Sequence, residues 1–147
     1  MSLQVLLADD DPDDRFVFDI ILSTFPSPTQ LVMVEDGERL MSYLSKNSKN
    51  LPDVLFLDIN MPKKNGSECL SEIKDNPKLN HLPVIMYTTS VHYDVVEVLY
   101  NKGAHYYFRK MDMIKTQNLL HHVLTLLVEN NFARPPRDEF VLALAVE

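Results

Sequence analysis

The chain has 147 residues, 46% of them hydrophobic, enough for one domain with its own core and no need of metals or disulfides to hold it. The single cysteine, Cys69, excludes an intramolecular disulfide and reads as a packing residue in a reducing, cytoplasmic setting rather than as a nucleophile. A net charge of −7 argues against nucleic acid as a partner, and no apolar run approaches the roughly 20 residues of a membrane span. Leu3 to Ala8 is too short for the apolar part of an export signal.

Gln4 to Ala8 is an apolar run ending in Asp9-Asp10-Asp11, the pattern of a strand buried on both faces with an acidic carboxyl end. Residues 1 to 20 hold six Asp and one Arg, so most of the net charge gathers here. Asp11 suits a helix N-cap, Pro12 the first helical position, and Asp13 and Asp14 the positive end of the helix dipole. Phe16, Phe18, Ile20, Ile21 and Leu22 continue at helical spacing until Phe25-Pro26 stops the element. Leu31 to Val34 is the second strand, and Asp36-Gly37 leads into a helix over 38–46 bearing Leu40, Met41 and Leu44. Val54 to Leu57 runs directly into Asp58. Pro62 and the turn residues Lys63-Lys64-Asn65-Gly66 then end the strand, so Asp58 is expected to be displayed at the sheet edge rather than buried within it. Ser67 to Lys74 is helical, with Cys69, Leu70 and Ile73 on one face, and Asn76-Pro77 terminates it. Leu82 to Thr88 is the fourth strand and runs into the hydroxyls of Thr88, Thr89 and Ser90. A helix over 92–102 closes at Gly103, where a left-handed cap is expected. His105 to Phe108 is the fifth strand and runs into Arg109-Lys110. The helix from Ile114 to about residue 131 carries Leu119, Leu120, Val123, Leu124 and Leu127.

Five successive strand–helix units predict an α/β domain with a doubly wound, five-stranded parallel sheet covered by helices on both faces, over residues 1–131. Residues 132–147 fall outside the pattern, a break at Arg134-Pro135-Pro136-Arg137 followed by the apolar run Phe140 to Val146. They are too few for a separate output domain. Packing on the domain, extending a sheet edge and forming a homodimer all remain open for this tail.

In a doubly wound sheet the carboxyl ends of the strands lie along one edge. Asp9, Asp10, Asp58, Thr88 and Lys110 therefore converge on one cleft. Clustered carboxylates raise one another's proton affinity unless a cation intervenes, and hard oxygen ligands with room for water suit Mg2+ (or Mn2+), with the backbone carbonyl of Asn60 as a further ligand. Such a site suits phosphoryl transfer, which needs positioning and charge neutralisation above all. Asp58 is the candidate nucleophile and Lys110 the point charge on phosphoryl oxygens. Thr88 is the hydrogen-bond donor to another of those oxygens.

Asp9-Asp10, Asp58 with Ile59-Asn60-Met61-Pro62 and Gly66, Thr88 and Lys110 together resemble the receiver domain of two-component response regulators, over roughly residues 3–130. The resemblance implies a flavodoxin-like strand order 2-1-3-4-5. It also implies phosphorylation of Asp58 by a phosphohistidine on a sensor histidine kinase or phosphotransfer protein, and a switch in which Thr88 moves toward the phosphoryl group while Tyr107 turns inward. Asn60 and Ser90 occupy the positions that tune acyl-phosphate lifetime in that family. Met111 replaces the proline that usually follows the lysine, so a trans Lys110-Met111 bond and an altered loop are expected. The output is expected to pass through contact with an unidentified downstream protein or through phosphate relay, with no catalytic turnover of an external substrate.

Other classes fit less well. An aspartyl-phosphate phosphatase places a second Asp two residues after its nucleophile, where Asn60 cannot act as acid or base. A flavin site needs a phosphate cradle where Asp9-Asp10-Asp11 would repel phosphate. A calcium loop starting at Asp9 lacks the glycine at its sixth position and the glutamate at its twelfth. A degenerate receiver acting only as an adaptor stays open through Met111. Asp11, Asp13 and Asp14 are assigned to helix capping, and His121-His122 to the surface.

Overall fold

The computed structural model describes residues 2–89 and 92–142. Its sheet is built from β1 (Leu3–Ala8), β2 (Thr29–Val34), β3 (Val54–Leu57), β4 (Val84–Thr88), β5 (Tyr106–Arg109) and β6 (Val141–Leu142). The helices are α1 (Pro12–Ser23), α2 (Gly37–Lys46), α3 (Gly66–Asp75), α4 (Tyr93–Asn101) and α5 (Met113–Val128). All strand pairings are parallel, in the order β2-β1-β3-β4-β5-β6. This corrects the expected five-stranded 2-1-3-4-5 sheet. The order of the five strands holds, and the tail adds a sixth at the β5 edge. Two paired residues, Val141 with Tyr107 and Leu142 with Phe108, are too short a strand to leave a period in the sequence.

The central strands are buried on both sides because their residues alternate between two cores. Leu6, Ala8, Leu55, Leu57, Val84, Met86 and Tyr107 face one core with residues of α2, α3 and α4. Val5, Leu7, Val54, Phe56, Ile85, Tyr87 and Phe108 face the other, with α1 and α5. In this second core Phe18 of α1 meets Phe56 edge-on at a centroid distance of 5.2 Å, and Tyr87 meets Phe108 at 5.3 Å. Phe18, Ile21 and Leu22 are buried, whereas Phe16 and Ile20 on the same helix are exposed.

Local chemistry fixes where the helices begin. Asp11 caps α1 by accepting from the N–H groups of Asp13 and Asp14, with Pro12 as the first helical residue. Asn65 and Glu68 form a reciprocal capping box at α3. Gly103 follows α4 with φ of 103°, a backbone conformation that the missing Cβ permits. The expected strand start at Leu82 shifts to Val84, since Pro83 has no N–H for the ladder, although its carbonyl accepts from Leu55 at 3.0 Å.

The tail wraps the amino end of β5 and then lies along that strand. The ring of Phe132 stacks on His105, centroids 4.3 Å apart and planes within 5°. Arg134 donates to the carbonyls of Ala104 and Tyr100, and its guanidinium lies 4.0 Å from the centre of the Tyr100 ring. Arg137 pairs with Glu97 of α4. After a 3-10 turn over Arg137–Glu139, Phe140 is fully buried against Tyr100 and Tyr107, and its carbonyl accepts from the Tyr107 N–H at 3.0 Å. The tail therefore packs on the domain and extends a sheet edge. Among the described residues no helix is long and apolar enough to cross a membrane.

Candidate functional site

Register places the acidic residues together. Ala8 pairs with Leu57, and the Asp58 N–H donates to the Ala8 carbonyl at 2.9 Å, so Asp9 and Asp58 leave adjacent strands side by side. One carboxylate oxygen from each of Asp9, Asp10 and Asp58 lies within 4.8 Å of the others, and among the described residues no other three acidic, His or Cys side chains cluster in this way. Asp9 is fully buried and Asp10 exposed, so the cluster opens to solvent at Asp10. Asp58 is at the expected strand end, but it is buried rather than displayed, with 7% of its surface exposed. The loop after β3 folds back over it, the Gly66 N–H donating to the Ile59 carbonyl at 2.8 Å. A Cβ on Gly66 would sit 2.2 Å from the Asp58 carbonyl oxygen, which explains a glycine at that point.

Lys110 enters from the end of β5. Thr88 pairs with Arg109 in the ladder, and the Lys110 N–H donates to the Thr88 carbonyl at 2.7 Å. Its ammonium nitrogen lies 2.8 Å from Asp9 Oδ2, 2.9 Å from Asp14 Oδ2 and 3.8 Å from Asp58 Oδ2, and 4.7 Å from the centre of the Tyr87 ring. Burial works against the Lys110 charge, but the bond to Asp9 and the negative charges of Asp58 and Asp14 outweigh it and hold the pKa above its usual value. The Asp58 pKa is raised as well, which for a carboxylate favours the neutral form. Burial pushes its pKa up to about 7, Lys110 opposes the rise, Asp9 adds to it, and the Asn60 N–H, 3.4 Å from Asp58 Oδ1, lowers it slightly. Asp9 Oδ1 accepts from the Asp11 N–H at 3.0 Å, and Arg15 donates to the Asp9 carbonyl at 2.8 Å.

The structure thus brings Asp9, Asp10, Asp58 and Lys110 into direct contact range. Thr88 is buried at the end of β4 and joins them through its carbonyl. Asn60 is exposed beside Asp58. Tyr107 is 1% exposed and lies under Phe140, on the core face shared with α4. Ser90 lies outside the described residues. The bond between Lys110 and Met111 is trans, as expected, since no cis peptide occurs among the described residues. Asp14 is the residue that sequence reading missed: besides sitting in the first turn of α1, it grips Lys110. Its signal was its place one turn before the inward-facing Phe18, on the face of α1 that looks at the sheet. Cys69 is buried and its thiol pKa is pushed up to about 12 by that burial, the behaviour of a packing residue.

A doubly wound parallel sheet with carboxylates and a lysine at the carboxyl ends of its strands defines an α/β domain with a ligand edge at its topological switch point. Residues 5–124 match the model of the response regulator receiver domain, and the chain belongs to that family. It is 33% identical over 115 residues to the response regulator Rcp1 of Synechocystis, covering 76% of this chain and 78% of Rcp1. The crystal structure of the phosphorylated cyanobacterial phytochrome response regulator RcpA aligns with a TM-score of 0.80 at 27% identity, over 88% of this chain and 96% of that one. The Mn(2+)-bound form of Rcp1 aligns at 0.78 and 28% identity, over 91% and 99%. Some other curated relatives are longer, and the chain spans 18% and 33% of two of them.

Proposed function

We propose that the protein accepts a phosphoryl group on Asp58 and signals through the change this makes at the β5 edge. The observation that carries the reading is the convergence of Asp9, Asp10 and Asp58 within 4.8 Å at the strand ends, with Lys110 3.8 Å from Asp58. In this reading a carboxylate oxygen of Asp58 attacks phosphorus, the phosphorus–nitrogen bond of a phosphohistidine breaks, and the imidazole of a sensor histidine kinase or phosphotransfer protein leaves. Lys110 neutralises one phosphoryl oxygen and the Thr88 hydroxyl donates to another. Asp9 and Asp10, with Asp58 and the Asn60 carbonyl, are the groups that would hold Mg2+ or Mn2+. The donor set fits such an ion, being all oxygen and strongly acidic, with a solvent-open side at Asp10. A divalent cation bound there supplies charge neutralisation on the phosphoryl group.

The switch follows from the same contacts. Movement of Thr88 toward a phosphoryl group pulls on the β4–β5 ladder, where Tyr107 carries Phe140 and the tail. The surface read by a downstream protein is then α4, β5 and the tail together, and residues 1–131 act as the receiver with 132–147 as its appendage. Asn60 and Ser90 set how long the acyl phosphate lasts. The chemistry is self-phosphorylation and self-reset rather than turnover of an external substrate, and a reducing cytoplasm suits the lone thiol of Cys69. Intact mass after incubation with Mg2+ and a small acyl-phosphate donor tests this. One phosphate is gained by the wild type, and none by Asp58→Asn or with chelator present. A phosphate gained without metal, or none in any sample, contradicts the reading.

A further inference from the structure

Lys110 has to hold its ammonium among three carboxylates from a loop that lacks the proline expected after it, and the structure supplies another restraint. The Met111 N–H donates to Thr116 Oγ1 at 3.0 Å, and the same hydroxyl donates to the Met111 carbonyl at 3.1 Å. A single side chain thus satisfies both backbone groups of the residue that follows Lys110. Thr116 is itself fixed. It is only 3% exposed, its N–H donates to the Asp112 carbonyl at 2.9 Å, and Asp112 caps α5 by accepting from the Lys115 N–H at 3.0 Å. On the other side of the loop the Lys110 N–H is held by the Thr88 carbonyl. Lys110 is therefore pinned between the end of β4 and the first turns of α5. A proline at 111 could not make the first of the two Thr116 bonds, having no N–H to give.

We propose that Thr116 is a positioning residue for phosphoryl transfer, acting through the Met111 backbone to aim Lys110 at Asp58. The proposal rests on the reading of Asp58 as phosphoacceptor. A hydroxyl is what the position needs, since a group that donates and accepts at once is required and threonine fits the buried space. Valine keeps the volume and leaves both backbone groups of Met111 without this partner.

The test measures the rate of phosphoryl gain from a small acyl-phosphate donor at saturating Mg2+, with the Mg2+ dissociation constant determined separately. Thr116→Val, Thr116→Ala and Thr116→Ser are compared, in the wild-type background and with Lys110→Ala. Loss of the hydroxyl should slow transfer about tenfold in Val and Ala, with Ser within about twofold of wild type and the Mg2+ constant unchanged. With Lys110 already removed, Thr116→Val should slow transfer by less than about twofold, because the path through Lys110 is gone. An equal slowing in both backgrounds, a proportionate loss of Mg2+ affinity, or a wild-type rate in Thr116→Val overturns the proposal. If the wild-type protein takes no phosphoryl group at all, the phosphoacceptor reading fails. The clamp is then judged by hydrogen exchange of the Met111 amide. Faster exchange in Thr116→Val than in Thr116→Ser upholds it, and equal exchange overturns it.

Discussion

The carboxyl end of β5 and its outer edge lie within a few residues of each other and are built on opposite terms. At the carboxyl end Lys110 meets Asp9, Asp14 and Asp58, and burial raises the Asp58 pKa to about 7, so like charges are held together at an energetic cost. Along the edge Phe132, Arg134, Arg137 and Phe140 each find a matched partner in His105, Tyr100, Glu97 and Tyr107. The difference separates two roles. Carboxylates crowded beyond what one lysine neutralises are the mark of a binding site, while satisfied aromatic and cationic contacts contribute stability. The tail edge should therefore answer to mutation in stability, and the acidic end in pH and metal dependence.

The largest expected effect is on the tail. Phe140→Ala empties a fully buried aromatic site and should lower stability to denaturant by about 3 kcal/mol, while Mg2+ affinity changes less than about twofold. A large loss of Mg2+ affinity would break the separation of the two regions.

Asp58→Asn should act in the opposite direction in metal-free protein. A carboxylate whose folded pKa is raised contributes stability below its unfolded pKa and loses it as pH rises through the folded value, here between about 4 and 7. Asparagine stands in for the protonated form at every pH. The variant should therefore be about 1–3 kcal/mol more stable than wild type at pH 8, with the gap closing near pH 4. Thermal unfolding at the two pH values checks this. In the wild type the same titration makes protons compete with metal, so apparent Mg2+ affinity should fall by up to about tenfold per pH unit below about 7. Calorimetric titration across that range measures it.

Smaller effects sharpen the contrast within the tail. Arg134→Ala removes two bonds to backbone carbonyls and the stack on Tyr100, a loss of about 1 kcal/mol. Arg137→Ala breaks only a surface pair with Glu97, a change of a few tenths of a kcal/mol at most, on the order expected for exposed ion pairs.

What could be read from the sequence follows the same division. β1, β3 and β4 were readable because buried parallel strands leave unbroken apolar runs, and each ends in a side chain whose chemistry differs from the run before it. Asp9, Asp10, Asp58 and Lys110 converge because strand ends share one edge, which topology alone dictates. β6 was not readable, since its two residues pair with an edge strand far from them in sequence and the apolar stretch from Phe140 suits packing, pairing or association equally. Burial of Asp58 was missed because it depends on the close approach of Gly66, a contact that turn chemistry does not report. The second role of Asp14 escaped because capping already explained an acid there, and only the α1 face shared with Phe18 connects it to Lys110.

The most direct test of the central claim is to locate the phosphoryl group. Reduction of the phosphorylated protein with borohydride converts an aspartyl phosphate to homoserine, and peptide mass spectrometry then reads its position. Homoserine should appear at position 58 alone, and only when Mg2+ was present during phosphorylation. Homoserine at 9 or 10, or a phosphate on an oxygen that borohydride leaves intact, would contradict it.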